Sequence, residues 1–161
     1  MKIIKYFFQF LLILFFFLIF KTLGAKISSN ISYQIFKLFG PFFRPREIIE
    51  SNINRAFPSL NRQHINKIID DMWGNYGRIL SEYVCMKDFR SSDLSNNIEI
   101  KGLEILESIK KENEPVIFIS GHFNNFELMA MQIERSGINL AAIYRPLNNY
   151  FLNGIMEKIR K

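Results

Sequence analysis

His122 and Glu127 are the two side chains in this 161-residue chain whose types and setting point to chemistry. They stand in Ser120-Gly121-His122-Phe123-Asn124-Asn125-Phe126-Glu127, where the apolar, β-branched run Pro115-Val116-Ile117-Phe118-Ile119-Ser120 gives way to good helix formers. On a regular helix, positions five apart lie about 140° round the axis, so the pair cannot face each other there, and His122 must sit in the Gly121 turn ahead of the helix. From that turn the imidazole can fold back over the first helical turn towards Glu127, whose negative charge is favoured near a helix N-terminus. The carboxylate would fix the ring tautomer and leave the other ring nitrogen to take a proton from a hydroxyl. A histidine and an acid at this spacing arise often by chance, so the strand, glycine and helix around them carry the weight of the reading.

The elements that must position this pair can be read from periodicity. Ile98-Glu99-Ile100 alternates like a strand, Leu103 to Lys110 reads as a helix with Leu103, Leu106 and Ile109 inward, and the Pro115 run is a second strand. After the Glu127 helix, stopped at Gly137, Ile138 to Tyr144 predicts a third strand, and Tyr150 to Lys161 a basic helix. Strand, helix, strand implies a right-handed crossover in a mostly parallel sheet, an α/β domain with covering helices. His122 and Arg145 both fall at the carboxyl edge of that sheet. Arg145, in a turn stiffened by Pro146, has the fork geometry to clamp a phosphate, and an ordinary surface salt bridge accounts for it equally well. Lys158, Arg160 and Lys161 form a charge run of the kind that usually faces solvent.

Upstream, Tyr6 to Phe20 is apolar but for Gln9, long enough with its flanks to cross a bilayer core. Lys2 and Lys5 precede it and Lys21, Lys26, Lys37, Arg44 and Arg46 follow, an excess that places the main domain on the cytoplasmic side. A cleaved signal peptide ending at Thr22-Leu23-Gly24 is the competing view. Gly40-Pro41 and Arg44-Pro45 punctuate a segment expected to hug the membrane. Arg46 to Phe57 predicts a short amphipathic helix that stops before Pro58. Asn61 is then a plausible cap for a long helix with Ile65, Ile68, Ile69, Met72, Trp73, Tyr76, Ile79, Leu80 and Tyr83 at helical spacing. Trp73 and the tyrosines read as packing and His64 as a solvated helix residue. Arg90 to Asn97 is a polar loop. The organisation is thus a membrane anchor over 1–26, a helical membrane-proximal region over 27–97 and a partial α/β domain over 98–161.

A net charge of +6 with 17 phenylalanines suits a membrane surface, with anionic lipid headgroups or an acidic carrier protein as partners. Nucleic acid is disfavoured, because the basic residues form no concentrated stripe and match no binding motif. Cys85, the single cysteine, excludes an internal disulfide and a cysteine zinc cluster, and reads as a buried thiol.

Gly121-His122-Phe123-Asn124-Asn125-Phe126-Glu127 followed by Tyr144-Arg145-Pro146-Leu147 resembles the late acyltransferases of lipid A biosynthesis, the lauroyl and myristoyl transferases. The likeness includes the anchor, Ala56-Phe57-Pro58, Trp73-Gly74 and Gly102-Leu103-Glu104. It implies transfer of a fatty acyl group from acyl carrier protein to a hydroxyl of a glucosamine-based, anionic lipid A precursor, in lipopolysaccharide biosynthesis, on the cytoplasmic face of the inner membrane and without a metal or other cofactor. By this resemblance His122 is the base, Glu127 its orienting partner and Arg145 a phosphate or substrate contact. The family commonly has Gly and Trp where this chain has Asn124 or Asn125 and Phe126. The resemblance also implies a chain about twice as long, so the sequence is expected to be a fragment or to need a complementing C-terminal chain. The alternatives are a non-catalytic membrane-anchored remnant and an acyltransferase for another glycolipid or a lysophospholipid.

Overall fold

The computed structural model describes residues 2–91 and 98–160; most of the expected Arg90 to Asn97 loop lies outside them. The elements are helices: α1 (Lys2–Phe39), a 3-10 turn (Gly40–Phe42), α2 (Arg46–Ala56), α3 (Arg62–Val84), α4 (Met86–Arg90), α5 (Leu103–Glu112), α6 (Glu127–Arg135) and α7 (Tyr150–Arg160). They fall into two compact units, Phe17–Val84 and Met1–Phe16 with Cys85–Lys161.

The expected parallel sheet is not there: among the described residues no strand is formed. The runs at 98–100, 115–120 and 138–144 have no regular secondary structure, and Ile117, Ile119 and Ile143 are almost fully exposed. The α/β expectation rested on β-branched composition. That composition records how well a residue fits a pleated, half-buried surface, and a strand exists only where a neighbour supplies the ladder and the face. Among the described residues none of the three runs pairs with such a neighbour. The helical expectations fare differently, because a helix closes its own hydrogen bonds.

In the Phe17–Val84 unit, α2 and α3 bury Ile49, Ile65, Ile69 and Trp73 in one cluster, with Ile53, Leu60 and Met72 against it. Fully burying one such side chain stabilises by about 1.5–3 kcal/mol. Asn61 caps α3, its Oδ1 accepting the His64 backbone N–H at 2.9 Å, and His64 itself is exposed. The post-Gly24 part of α1 lies close on α3 because both helices are thin where they meet. Ser28 and Ser32 are fully buried, and a Cβ on Gly74 would run into the Tyr33 ring, one on Gly77 into the Ser32 carbonyl. Gly40 stands likewise under the Trp73 indole.

Polar contacts flank this seam. Tyr33 donates its hydroxyl to Asp71 at 2.8 Å, Lys67 pairs with Asp71 at 2.7 Å, and Arg78 stacks 4.3 Å from the Tyr33 ring centre. The hydrogen bond from Lys67, then that from Tyr33, holds the Asp71 carboxyl below its ordinary value, and the same bond raises the Lys67 ammonium above its own. A depressed carboxyl contributes stability that is fully present above its unfolded value and disappears as pH falls through its folded one. Acid unfolding of this unit, read from the emission of the single tryptophan, should therefore show a stability difference between wild type and Asp71→Asn at neutral pH. That difference should vanish below the ordinary carboxylate range. A difference that persists unchanged into acid would rule out the linkage.

The other unit buries Cys85, Met86, Met131, Ile133 and Leu152. Cys85 is 1% exposed, as its apolar neighbours indicated. Arg90 of α4 pairs with Glu134 of α6 at 2.9 Å and donates to the Arg160 carbonyl of α7 at 3.2 Å, so three short helices are tied through one guanidinium. Asn149 caps α7 by accepting the Phe151 N–H at 3.2 Å, and its side-chain amide donates to the Tyr6 carbonyl of α1 at 2.8 Å. Phe151 packs its ring on Phe7 and Phe10. Gly154, mid-helix in α7, faces open space. Gly154→Ala should therefore raise the unfolding free energy by about 0.5–1 kcal/mol, since a helix-interior glycine costs that much against alanine. Loss of stability in urea would contradict the open geometry at this position.

Candidate active site

The turn carrying His122 is shaped by its own backbone. Phe123 N–H bonds the Gly121 carbonyl at 2.9 Å, and a Cβ on Gly121 would press on the Phe123 ring. Asn124 takes the left-handed conformation at φ 51°, which asparagine tolerates better than most residues. Phe126 N–H then bonds the Asn124 carbonyl at 3.1 Å and Leu128 N–H the Asn125 carbonyl at 3.2 Å, so the turn runs directly into α6 with Glu127 as its first residue.

This geometry brings His122 and Glu127 to the N-terminal end of one helix, as the spacing requires, but it does not join them. The His122 imidazole is exposed and lies against the Phe126 ring, centroids 4.5 Å apart, with no hydrogen bond to it among the described residues. Glu127 is mostly buried, its side chain 13% exposed, and accepts the Nε–H of Arg160 at 3.0 Å and an Nη2–H of the same fork. Arg145 is exposed in the turn before α7. Just ahead of it, Tyr144 donates its hydroxyl to Glu157 at 2.8 Å, which raises the phenol above its ordinary value, and just after it the Leu147 N–H bonds the Asn153 side chain at 2.8 Å.

Arg160 is the residue that sequence reasoning missed. Placed among solvated charges by its neighbours Lys158 and Lys161, it bonds Glu127 and stacks its guanidinium 4.9 Å from the Tyr144 ring centre. One side chain thus links the Glu127 carboxylate to the residue before Arg145. The signal available was its position on the last turn of an amphipathic helix, which does not tell a buried ion pair from a wet one. Beside these residues, Leu128, Met129 and Ile133 of α6 open on an apolar groove shared with Ile105, Leu106 and Phe118. Chemically, the arrangement offers an accessible imidazole, a clamped carboxylate, an exposed guanidinium and a hydrocarbon-lined flank. That set suits proton removal from a hydroxyl on a lipid-like molecule.

The chain belongs to the bacterial lipid A biosynthesis acyltransferase family, whose pattern it matches over residues 1–161. It is 23% identical over 122 residues to the lipid A biosynthesis myristoyltransferase of Escherichia coli (strain K12), covering 76% of this chain and 37% of that protein. It is similarly 23% identical to lipid A biosynthesis acyltransferase 1 of Shigella flexneri, covering 76% of this chain and 37% of that protein, and 26% identical to acyltransferase 2 of the same organism, covering 68% and 35%. The chain therefore spans little more than a third of the length of these relatives. No solved structure matches it.

Proposed function

We propose that this chain carries the proton-accepting part of an acyltransferase that moves a fatty acyl group from the thioester of acyl carrier protein to a hydroxyl of a lipid A precursor. The family match over the whole chain carries this reading, and the exposed imidazole at the mouth of α6 supplies the chemistry. His122 takes the acceptor hydroxyl proton as the oxygen attacks the thioester carbonyl. The tetrahedral intermediate then collapses to the new ester, the carbon–sulfur bond breaks, and the carrier thiolate leaves and takes up the proton. No protein nucleophile takes part. Glu127, held by Arg160, is the positioning partner of His122; Arg145 contacts an acceptor phosphate; the groove beside α6 receives acyl carbons. The reaction takes place at the cytoplasmic face of the inner membrane.

The helical stretch Lys2–Phe42, which breaks at Gly24, holds an apolar window long enough to cross a membrane, with Ile3, Ile4, Phe8, Leu12, Phe15 and Leu18 exposed ahead of the break. A span by this helix and the α7 contact at Tyr6 compete for the same surface, and the depth measurement described below distinguishes them. The function itself is tested by expressing the protein in cells whose own late acyltransferase is deleted and weighing their lipid A. Gain of one acyl chain is the expected result. Unchanged lipid A, with the protein present in the membrane fraction, would refute the proposal.

A further inference from the structure

The break in α1 redirects the chain in a way that exposes a second apolar surface. Gly24 leaves helical geometry at φ 75°, ψ 165°, and the Ser28 hydroxyl donates to the Phe20 carbonyl at 2.8 Å. On a straight helix residues eight apart are separated by about 12 Å along the axis, so this bond means that the segment after Gly24 turns sharply off the line of Phe17–Leu23. If Phe17–Leu23 follows the bilayer normal, the next segment cannot continue straight away from the membrane.

That segment has three faces. Ser28, Ser32 and Phe36 turn to α3. Asn30, Gln34 and Lys26 form an exposed polar face. Between them Ile27, Ile31 and Leu38 are 53%, 39% and 66% exposed, with Ile35 on the same line, and Phe39 and Phe42, 53% and 85% exposed, extend the stripe beyond the helix. An apolar stripe at three- and four-residue spacing, beside a polar face and flanked by exposed Lys21, Lys26 and Arg44, has the composition of a helix that lies in a bilayer interface.

We propose that Ala25–Phe42 lies in the plane of an anionic phospholipid bilayer, its Ile27, Ile31 and Leu38 stripe sunk into the boundary between headgroups and acyl chains, as a membrane contact additional to the first part of α1. The proposal rests on the reading of this protein as membrane-bound. It gives the α2 and α3 core a fixed side towards the lipid, because the stripe and the α3-facing residues share one rigid helix. Lysine and arginine side chains along its edges extend towards the phosphates while their stems cover apolar surface.

Nitroxide labels at Ile31→Cys, Leu38→Cys, Gln34→Cys and Leu12→Cys, each in the whole chain in vesicles of phosphatidylethanolamine and phosphatidylglycerol, test this; buried Cys85 takes little label. Labels at 31 and 38 should collide with oxygen more than with a water-soluble nickel chelate, and the label at 34 should do the reverse. In phosphatidylcholine vesicles the shift at 31 and 38 should shrink; an equal shift there would overturn the anionic assignment. Nickel accessibility at 31 and 38 as high as at 34 would overturn the proposal. So would shielding from both reagents, which would show a protein cover such as a second copy. The label at 12 reports the first part of α1 separately: if it fails to reach oxygen, the span is wrong while the stripe is still judged by its own labels.

Discussion

Acyl transfer should fall by about 10²–10⁴-fold when His122 is replaced by alanine, the usual worth of a positioned general base. The loss should appear in kcat, with KM little changed, because removing a proton acceptor weakens the transition state and leaves substrate contacts in place. A structural explanation of such a loss is weak here. The imidazole is exposed and among the described residues its ring contact is with Phe126, so His122→Ala should leave the helical signal and the Trp73 emission as they are. Glu127→Gln makes a graded companion. If Glu127 positions the base, its amide variant should keep part of the rate, with the loss falling on kcat more than on KM and the helical signal unchanged, which a purely packing role would not produce. An alanine variant at 122 that transfers acyl groups within a few-fold of wild type would end the general-base assignment, whatever the status of the rest of the site.

Gly77→Val should be the most damaging of the simple substitutions in the Phe17–Val84 unit, costing about 2–3 kcal/mol of unfolding free energy, towards the upper end of what overpacking usually costs. A Cβ at this position meets the backbone carbonyl of Ser32 and the Cβ of Phe36, none of which can swing aside as the end of a flexible side chain can. The helices would have to separate, and the separation would open the buried faces of Ser28, Ser32 and Ser81 to solvent. Urea unfolding in detergent micelles, followed through Trp73, reads the effect. Unfolding of Gly77→Val at the urea concentration of wild type would show that the close approach of α1 and α3 is not maintained in solution.

What the sequence made legible follows from which interactions are local. Asn61 was readable as a cap because its partner, the His64 N–H, is three residues on, and the α3 stripe because Ile65, Ile69 and Trp73 share a face by spacing alone. The place of His122 ahead of α6 came from the same kind of geometry. The partner of Glu127 did not, since Arg160 is 33 residues away and a basic residue on a helix end reads alike whether it meets water or a carboxylate. The sheet was misread for a related reason: Ile117 and Ile119 have the composition of a strand, but nothing in a segment's own sequence says whether a neighbour lies alongside. The thin seam of Ser28 and Ser32 was hidden by the stronger apolar signal before it, which drew attention to the helix as an anchor and away from its continuation as a packing element.

The continuity of Phe17–Val84 bears on the order in which the protein can be made. The unit is one uninterrupted stretch, so the helices inside it can dock on one another while the ribosome is still adding the residues that follow Val84, in keeping with the N-terminal-first folding of translated units. The ties of the candidate site close later. Arg90 waits for Glu134, and the fork on Glu127 waits for Arg160, the last residue described. A nascent chain stalled between these two stages would carry a finished helical platform and an imidazole whose neighbouring carboxylate still lacks that clamp.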